Sequence, residues 1–287
     1  MNSRNARLTS TAGFATLAMF FATVACAADD QAGTPTASKD AASAAIDKVV
    51  EIDGDRGLYV RCTGKGSPTV FMEGGDGDTS DSYSFAETMI ADVTRTCVYD
   101  RSGLGRSDPP PGPRGLKELV GDVEALLKTA PIPGPYVLVG TSGGGYITAG
   151  YAVKHPDEVA GMVFVEVPSP FKDPPAPIVD ETDPANPENV EKRDYLQVEK
   201  DAWAARKRIG NIPIKVISNR YSEDEVAAAE FPSEKRGMRS NVQEQKGWLV
   251  LSPRAEQVVV TTGHAVEESD PQLVIDAILR VVSLARR

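Results

Sequence analysis

The chain has 287 residues, 41% of them hydrophobic and 25% charged, with a formal net charge of −10. That is enough apolar material for one large α/β domain or two small ones. No basic stripe is present to hold nucleic acid or an anionic membrane, and the acidity speaks for solubility without identifying a substrate.

Arg4 and Arg7 precede a short apolar run, Phe14 to Val24, and then small residues. This is the pattern of an export signal, and the run is too short to span a bilayer comfortably. Residues 1–27 are expected to be a signal peptide cut after Ala27, which sends the protein to the periplasm or the medium. Cleavage removes both arginines and no acid, so the mature chain is more acidic still. Cys26 offers an alternative, as the lipid-bearing first residue of a lipoprotein; Thr23 stands against it, where such signals usually carry Leu. Residues 28–45, rich in Ala, Ser, Thr and Asp, read as a disordered tether. Residues 46–287 form the expected domain.

Val49 to Ile52 and Gly57 to Cys62 read as strands joined by the turn Asp53-Gly54-Asp55. Pro68 to Met72 is a third strand, running into the loop Glu73-Gly74-Gly75-Asp76-Gly77-Asp78. Ser80 to Val93 has helical spacing, and Arg95 to Tyr99 is a fourth strand. Cys62 and Cys97 fall in the second and fourth strands. If those strands are neighbours, a disulfide is feasible in an oxidising compartment; otherwise they are two buried thiols. No His–Cys spacing supports a metal site.

Leu116, Leu119, Val120, Val123, Leu126 and Leu127 repeat at three and four, the stripe of an amphipathic helix. Tyr136 to Val139 is the next strand, followed by a helix-like stretch from Ile147 to Val153 that closes near His155-Pro156. Met162 to Val165, Ile212 to Ile217 and Gln257 to Val260 are further strands. The last helix takes Asp270 as its N-cap with Pro271 at its first position. Strands alternating with helices predict a mostly parallel sheet covered on both faces. One segment breaks the rhythm. Residues 168–211 are rich in Pro and acids and then give a helix-like stretch from Val190 to Ile209 with Tyr195, Leu196 and Trp203. This insertion reads as a small lid, or else as a surface excursion without catalytic consequence.

The strongest motif is Gly140-Thr141-Ser142-Gly143-Gly144, between a strand and a helix. A sharp strand-to-helix turn exposes a serine hydroxyl, and its glycines leave room for strained backbone and close packing. A serine nucleophile needs a base, and the chain holds only two histidines. His155 ends the helix that Ser142 begins, roughly 20 Å away at 1.5 Å per residue, so it is a capping or surface residue. His264, after the strand ending at Val260, is the base by elimination. The orienting acid belongs at a strand end beyond the nucleophile. Glu166 stands alone at one such end; Glu223, Asp224 and Glu225 form the alternative, set further into a loop. Oxyanion donors are expected at the backbone N–H groups of Gly143 and Gly75.

The strand–Gly-x-Ser-x-Gly–helix order, the glycine loop after strand three, Asp100-Arg101-Ser102-Gly103-Leu104-Gly105-Arg106-Ser107 after strand four, and Gly263-His264 before the last helix together resemble the α/β-hydrolase family from Val49 to the C-terminus. The resemblance implies an eight-stranded sheet with an antiparallel first strand. It also places strands two and four side by side, which strengthens the Cys62–Cys97 pairing. Some lipase-like relatives carry the acid after strand six, which supports Glu166. Two departures stand out: Glu73-Gly74 replaces a common His-Gly, and the usual acid after strand seven is not cleanly present. The Asp100–Ser107 motif is taken as structural, organising loops near the site. The implied activity is an exported serine hydrolase acting on a small ester-like acyl substrate, with neither metal nor organic cofactor. The same triad also serves perhydrolase or haloperoxidase chemistry and amide, lactone or C–C cleavage. A ligand-binding protein on the same fold, without turnover, is the alternative from another class.

Overall fold

The computed structural model describes residues 44–172 and 183–287. The expected signal, Cys26 and nearly all of the tether lie outside these residues, as does part of the insertion. Among the described residues no helix is long and apolar enough to cross a membrane.

Eight strands form one sheet in the order β1-β2-β4-β3-β5-β6-β7-β8. They are β1 (Ile46–Asp53), β2 (Arg56–Thr63), β3 (Thr69–Glu73), β4 (Thr96–Tyr99), β5 (Tyr136–Thr141), β6 (Val159–Val165), β7 (Ile214–Asn219) and β8 (Ala255–Val260). β2 is antiparallel to both β1 and β4, and all later neighbours run parallel. Every position of β3, β4 and β5 is buried, as expected of parallel strands covered on both faces. Their continuous Val, Leu and Phe runs come from that double burial.

The helices are α1 (Ser84–Ala91), α2 (Leu116–Thr129), α3 (Gly144–Lys154), α4 (Tyr195–Ala205), α5 (Glu223–Ala228), α6 (Pro232–Gln245), α7 (Val266–Ser269) and α8 (Pro271–Ala285). Two cores result. The α2 stripe and Ile147 of α3 pack with Phe71, Leu138 and Phe164 on one sheet face. Ile90 of α1 and Ile275, Ile278 and Val282 of α8 pack with Val70, Val139 and Val163 on the other. Asp270 caps α8 by accepting from the Leu273 N–H at 3.1 Å. Cys62 and Cys97 face each other across β2 and β4 and are joined as a disulfide.

Three expectations about helices change. Ser80 to Val93 is a 3-10 turn, Ser80–Tyr83, followed by the shorter α1. The insertion's helix is α4 alone and not Val190 to Ile209, because Arg114 N–H donates to the Lys192 carbonyl and Asp194 N–H to the Arg114 carbonyl, holding the chain extended. Asp194 then starts α4 by accepting from the Gln197 N–H. Finally, α5 and α6 occupy a stretch with no expected element. Only Gln245 of α6 is buried, so that helix carries no apolar stripe to announce it.

Candidate active site

The carboxyl ends of the parallel strands all open onto one rim, where ligands of such sheets bind. β3 ends in the Glu73–Asp78 loop, β5 in Ser142, β6 in Glu166, and β8 in the turn to His264. Ser142 has φ +46 and Glu166 φ +48. Only one other non-glycine among the described residues, Lys192, is left-handed, and such backbone is tolerated where the surroundings over-determine it. Ser142 N–H donates to the Val165 carbonyl at 2.9 Å, and Glu166 N–H to the Ile217 carbonyl at 2.9 Å. Each turn is therefore held by the neighbouring strand. The motif's last glycine is sterically required, since a Cβ on Gly144 would collide with the Gly74 carbonyl.

Ser142 Oγ lies 3.2 Å from His264 Nε2, and His264 Nδ1 lies 3.3 Å from Glu166 Oε2. Glu166 is 1% exposed while the His264 side chain is 52% exposed. Burying a carboxylate requires donors. Asn219 N–H reaches Glu166 Oε1 at 2.5 Å, Gln245 Nε2 at 3.0 Å, and Asn241 Nδ2 reaches both oxygens at 3.0 and 3.2 Å. Asn241 and Gln245 lie four apart on α6, one helical turn, so both face the same carboxylate. Sequence reasoning missed them, for they sit on a helix without an apolar signal. Glu166 raises the His264 pKa above its ordinary value through its hydrogen bond and its charge; burial opposes the shift, and Glu267 and Asp76 add to it.

The other expected acids stand elsewhere. Glu223 opens α5, exposed, and pairs with Arg239 at 2.9 Å. Glu225 caps the same helix through Ser222, and Asp224 shares that exposed first turn. His155 ends α3, bonded to Glu124 at 2.6 Å and with its ring tilted against Tyr151. Among the described residues no group of three His, Cys, Asp or Glu side chains could hold a metal ion.

The two expected oxyanion donors differ. Across a planar trans peptide the C=O and the following N–H point in opposite directions. The Ser142 carbonyl accepts from Gly145 N–H at 3.0 Å, which turns Gly143 N–H away from the helix. The Gly74 carbonyl accepts from Arg101 Nη1 at 2.6 Å, which turns Gly75 N–H the other way. A Cβ on Gly75 would sit 3.4 Å from Ser142 Cβ, so this loop lies against the serine. Gly75 N–H is not open, however. It donates to Asp78 Oδ2 at 2.8 Å, because the Gly75–Asp78 turn brings that carboxylate over it. The signal was present in the sequence as an Asp three residues beyond the glycine.

Glu73, the first of the two departures from the family pattern, is buried and bonded to Arg101 at 2.8 Å and to Tyr99. Burial raises its pKa, with Arg101 working in the opposite direction. The Asp100–Ser107 motif does organise the surrounding loops: Asp100 accepts from Ser80 N–H at 2.6 Å and from Arg106 N–H at 2.8 Å. Trp203 of the insertion is 39% exposed under Arg206, and Tyr195 lies under Arg193.

A family model described as the alpha/beta hydrolase fold matches residues 68–214, just over half of the chain. The uncharacterized protein YqjL of Bacillus subtilis (strain 168) is 25% identical over 251 residues, covering 83% of this chain and 93% of that protein. Among solved structures, the epoxide hydrolase CorEH has a TM-score of 0.62 at 14% identity, covering 84% of this chain and 99% of the other. A thermophilic esterase of Thermogutta terrifontis has a TM-score of 0.56 at 18% identity, covering 85% and 100%. An epoxide hydrolase and an esterase fit the same backbone, so this likeness shows the fold and leaves the chemistry to the side chains. The chain belongs to the alpha/beta-hydrolase fold family, a membership that supports a hydrolase.

Proposed function

We propose that the protein is an exported serine hydrolase that cleaves a small ester-like acyl substrate. The observation that carries the reading is the continuous line from Ser142 Oγ through both ring nitrogens of His264 to Glu166, at 3.2 and 3.3 Å. His264 Nε2 takes the hydroxyl proton as Ser142 Oγ bonds to the carbonyl carbon, and the negative charge passes to the carbonyl oxygen. Gly143 N–H holds that oxyanion, joined by Gly75 N–H once Asp78 releases it. His264 then gives its proton to the departing alkoxide. Water, activated by the same imidazole, cleaves the acyl-enzyme and returns the free acid. Glu166 keeps Nδ1 protonated and stabilises the imidazolium. No step calls on a metal or an organic cofactor.

One observation favours the alternative of a ligand-binding protein without turnover: the Asp78 carboxylate seated on the Gly75 donor. A p-nitrophenyl ester chain-length series on the wild type and Ser142→Ala separates the two. Hydrolysis by the wild type that falls about 10⁴–10⁶-fold in Ser142→Ala is expected. Activity retained in Ser142→Ala overturns the mechanism, and a wild type inert to esters and to a fluorophosphonate supports the binding protein. Export is tested by mass spectrometry of the mature N-terminus: Ala28 as first residue is expected, and lipid on Cys26 would replace soluble export with a membrane anchor.

A further inference from the structure

The insertion between β6 and β7 enters the site as a turn at Val190–Lys192 that leads, through the Arg114–Arg193 bridge, to Asp194. It carries two charged side chains that are almost wholly buried: Glu191 at 5% and Arg193 at 1% exposure. Val190, the apolar residue beside them, is 47% exposed. This inverts the usual pattern, and buried charges persist only when paired. Both side chains close on the glycine loop before Ser142.

Glu191 Oε2 accepts from Arg101 Nε at 2.6 Å, and Oε1 accepts from Arg101 Nη2 at 3.0 Å and from Gly77 N–H at 3.3 Å. The other Arg101 donors go to Glu73, to the Gly74 carbonyl and to the Gly75 carbonyl, at 2.8, 2.6 and 2.6 Å. A guanidinium has five N–H donors in a fixed plane, and here each has an acceptor. The two-pronged grip of Glu191 therefore sets the plane from which Arg101 holds the Gly74 carbonyl. That carbonyl in turn determines where Gly75 N–H points. Arg193 closes the other side: Nη1 pairs with Asp76, and Nη2 lies 3.4 Å from the Gly143 carbonyl. One side chain thus touches both the glycine loop and the residue after Ser142. Lys192, between the two, is the third left-handed non-glycine among the described residues. Asn189 fixes the stretch from behind, accepting from Arg193 N–H at 3.1 Å and donating to the Arg193 carbonyl at 2.9 Å.

We propose that Glu191 and Arg193 are positioning residues that act through Arg101 and Asp76 to hold the Gly74–Asp78 loop so that Gly75 N–H faces the oxyanion. The insertion is then a clasp on the catalytic loop, in addition to any part it has as a lid. This rests on the serine-hydrolase reading above. Its effect falls on the transition state, because the ground-state carbonyl gains little from a donor placed for the tetrahedral oxygen.

The test uses the full chain with Glu191→Gln and Arg193→Lys, beside Ser142→Ala, on a p-nitrophenyl ester. Glutamine keeps the shape and an acceptor for Gly77 N–H but removes the charge that grips Arg101. Expected are kcat values down about 10–100-fold with KM within about threefold. A trifluoromethyl ketone, which forms a tetrahedral adduct on Ser142, loses affinity by the same factor, while a non-hydrolysed amide analogue of the ester does not. A merely structural role would lower thermal stability without separating these two inhibitors. The proposal is overturned by wild-type kcat in either folded variant, or by a loss confined to KM. If Glu191→Gln does not fold, Arg193→Lys decides by the same criteria. Should Ser142→Ala remain active, the serine reading itself fails; should it be dead while both clasp variants match the wild type, only the clasp fails.

Discussion

The two flanks of Ser142 are held by opposite means. On the acid side a single buried carboxylate, Glu166, is surrounded by neutral donors from β7 and α6: Asn219 N–H, Asn241 and Gln245. On the oxyanion side the backbone is held by a chain of alternating charges, Glu73–Arg101–Glu191 and Asp76–Arg193. Neutral donors solvate Glu166 without adding an opposing charge, so the carboxylate still acts on His264. Paired charges largely cancel, so their work is to fix geometry. Burial opposes the charge on Arg101, yet Glu191 and Glu73 hold its pKa above the ordinary value. One flank projects a field and the other holds a shape.

The largest expected effect tests the field. Glu166→Gln should lower kcat/KM about 10³–10⁴-fold, since the imidazole loses both its tautomer control and its counter-charge. The pH dependence gives the sign. Glu166 is the main cause of the raised His264 pKa, and the base must be neutral to act. The acid limb of kcat/KM in the wild type therefore lies above the ordinary histidine value, and in Glu166→Gln it moves to lower pH. A large loss in Glu223→Gln with none in Glu166→Gln would assign the acid flank to the wrong carboxylate.

A smaller change on the same flank should move the limb the other way. Asn241→Ala removes a donor from Glu166 without touching its charge. The less satisfied carboxylate then attracts the imidazolium more strongly, so the acid limb rises. Hydrogen bonds to charged groups are worth about 1.5–3 kcal/mol, and a stability loss of that order is expected by denaturant titration. An unmoved pH profile with the same stability loss would reduce Asn241 to scaffolding.

The two flanks also differ in how far they could be read in advance. Ser142 was legible because its signal is local: a buried strand, two glycines and a helix within a few residues. His264 followed because only two histidines exist and the other caps α3. The partners of Glu166 were not legible. α6 reads PSEKRGMRSNVQEQ, and a helix with one buried residue shows no periodicity for a sequence to display. The clasp was hidden for a different reason. Arg101 and Glu191 are ninety positions apart, and a Glu buried beside an exposed Val inverts the hydropathy on which the helix expectation at Val190 rested. Tertiary pairing with Arg114 overrode local preference there. Gly75 was legible as the loop glycine beside the serine, while the Asp78 acceptor on its N–H was not.

That acceptor gives the smallest expected effect and the finest division of the oxyanion flank. Asp78 accepts from Gly75 N–H through Oδ2 and from Ser82 Oγ at 3.3 Å through Oδ1, and its own N–H bonds back to the Gly75 carbonyl at 3.2 Å. It thus both closes the turn and places a negative charge where another is to develop. Asp78→Asn keeps an acceptor and removes the charge, whereas Asp78→Ala removes both. If the carboxylate only competes with substrate for the donor, Ala should raise kcat/KM about threefold to tenfold, with Asn between Ala and wild type. If the turn depends on the side chain, Ala should lose activity that Asn retains, because Asn still accepts from Gly75 N–H. The backbone favours the first outcome. Arg101 already holds the carbonyls of Gly74 and Gly75, so the peptide that carries the donor is oriented from outside the turn, and Asp78 can leave without taking that orientation with it.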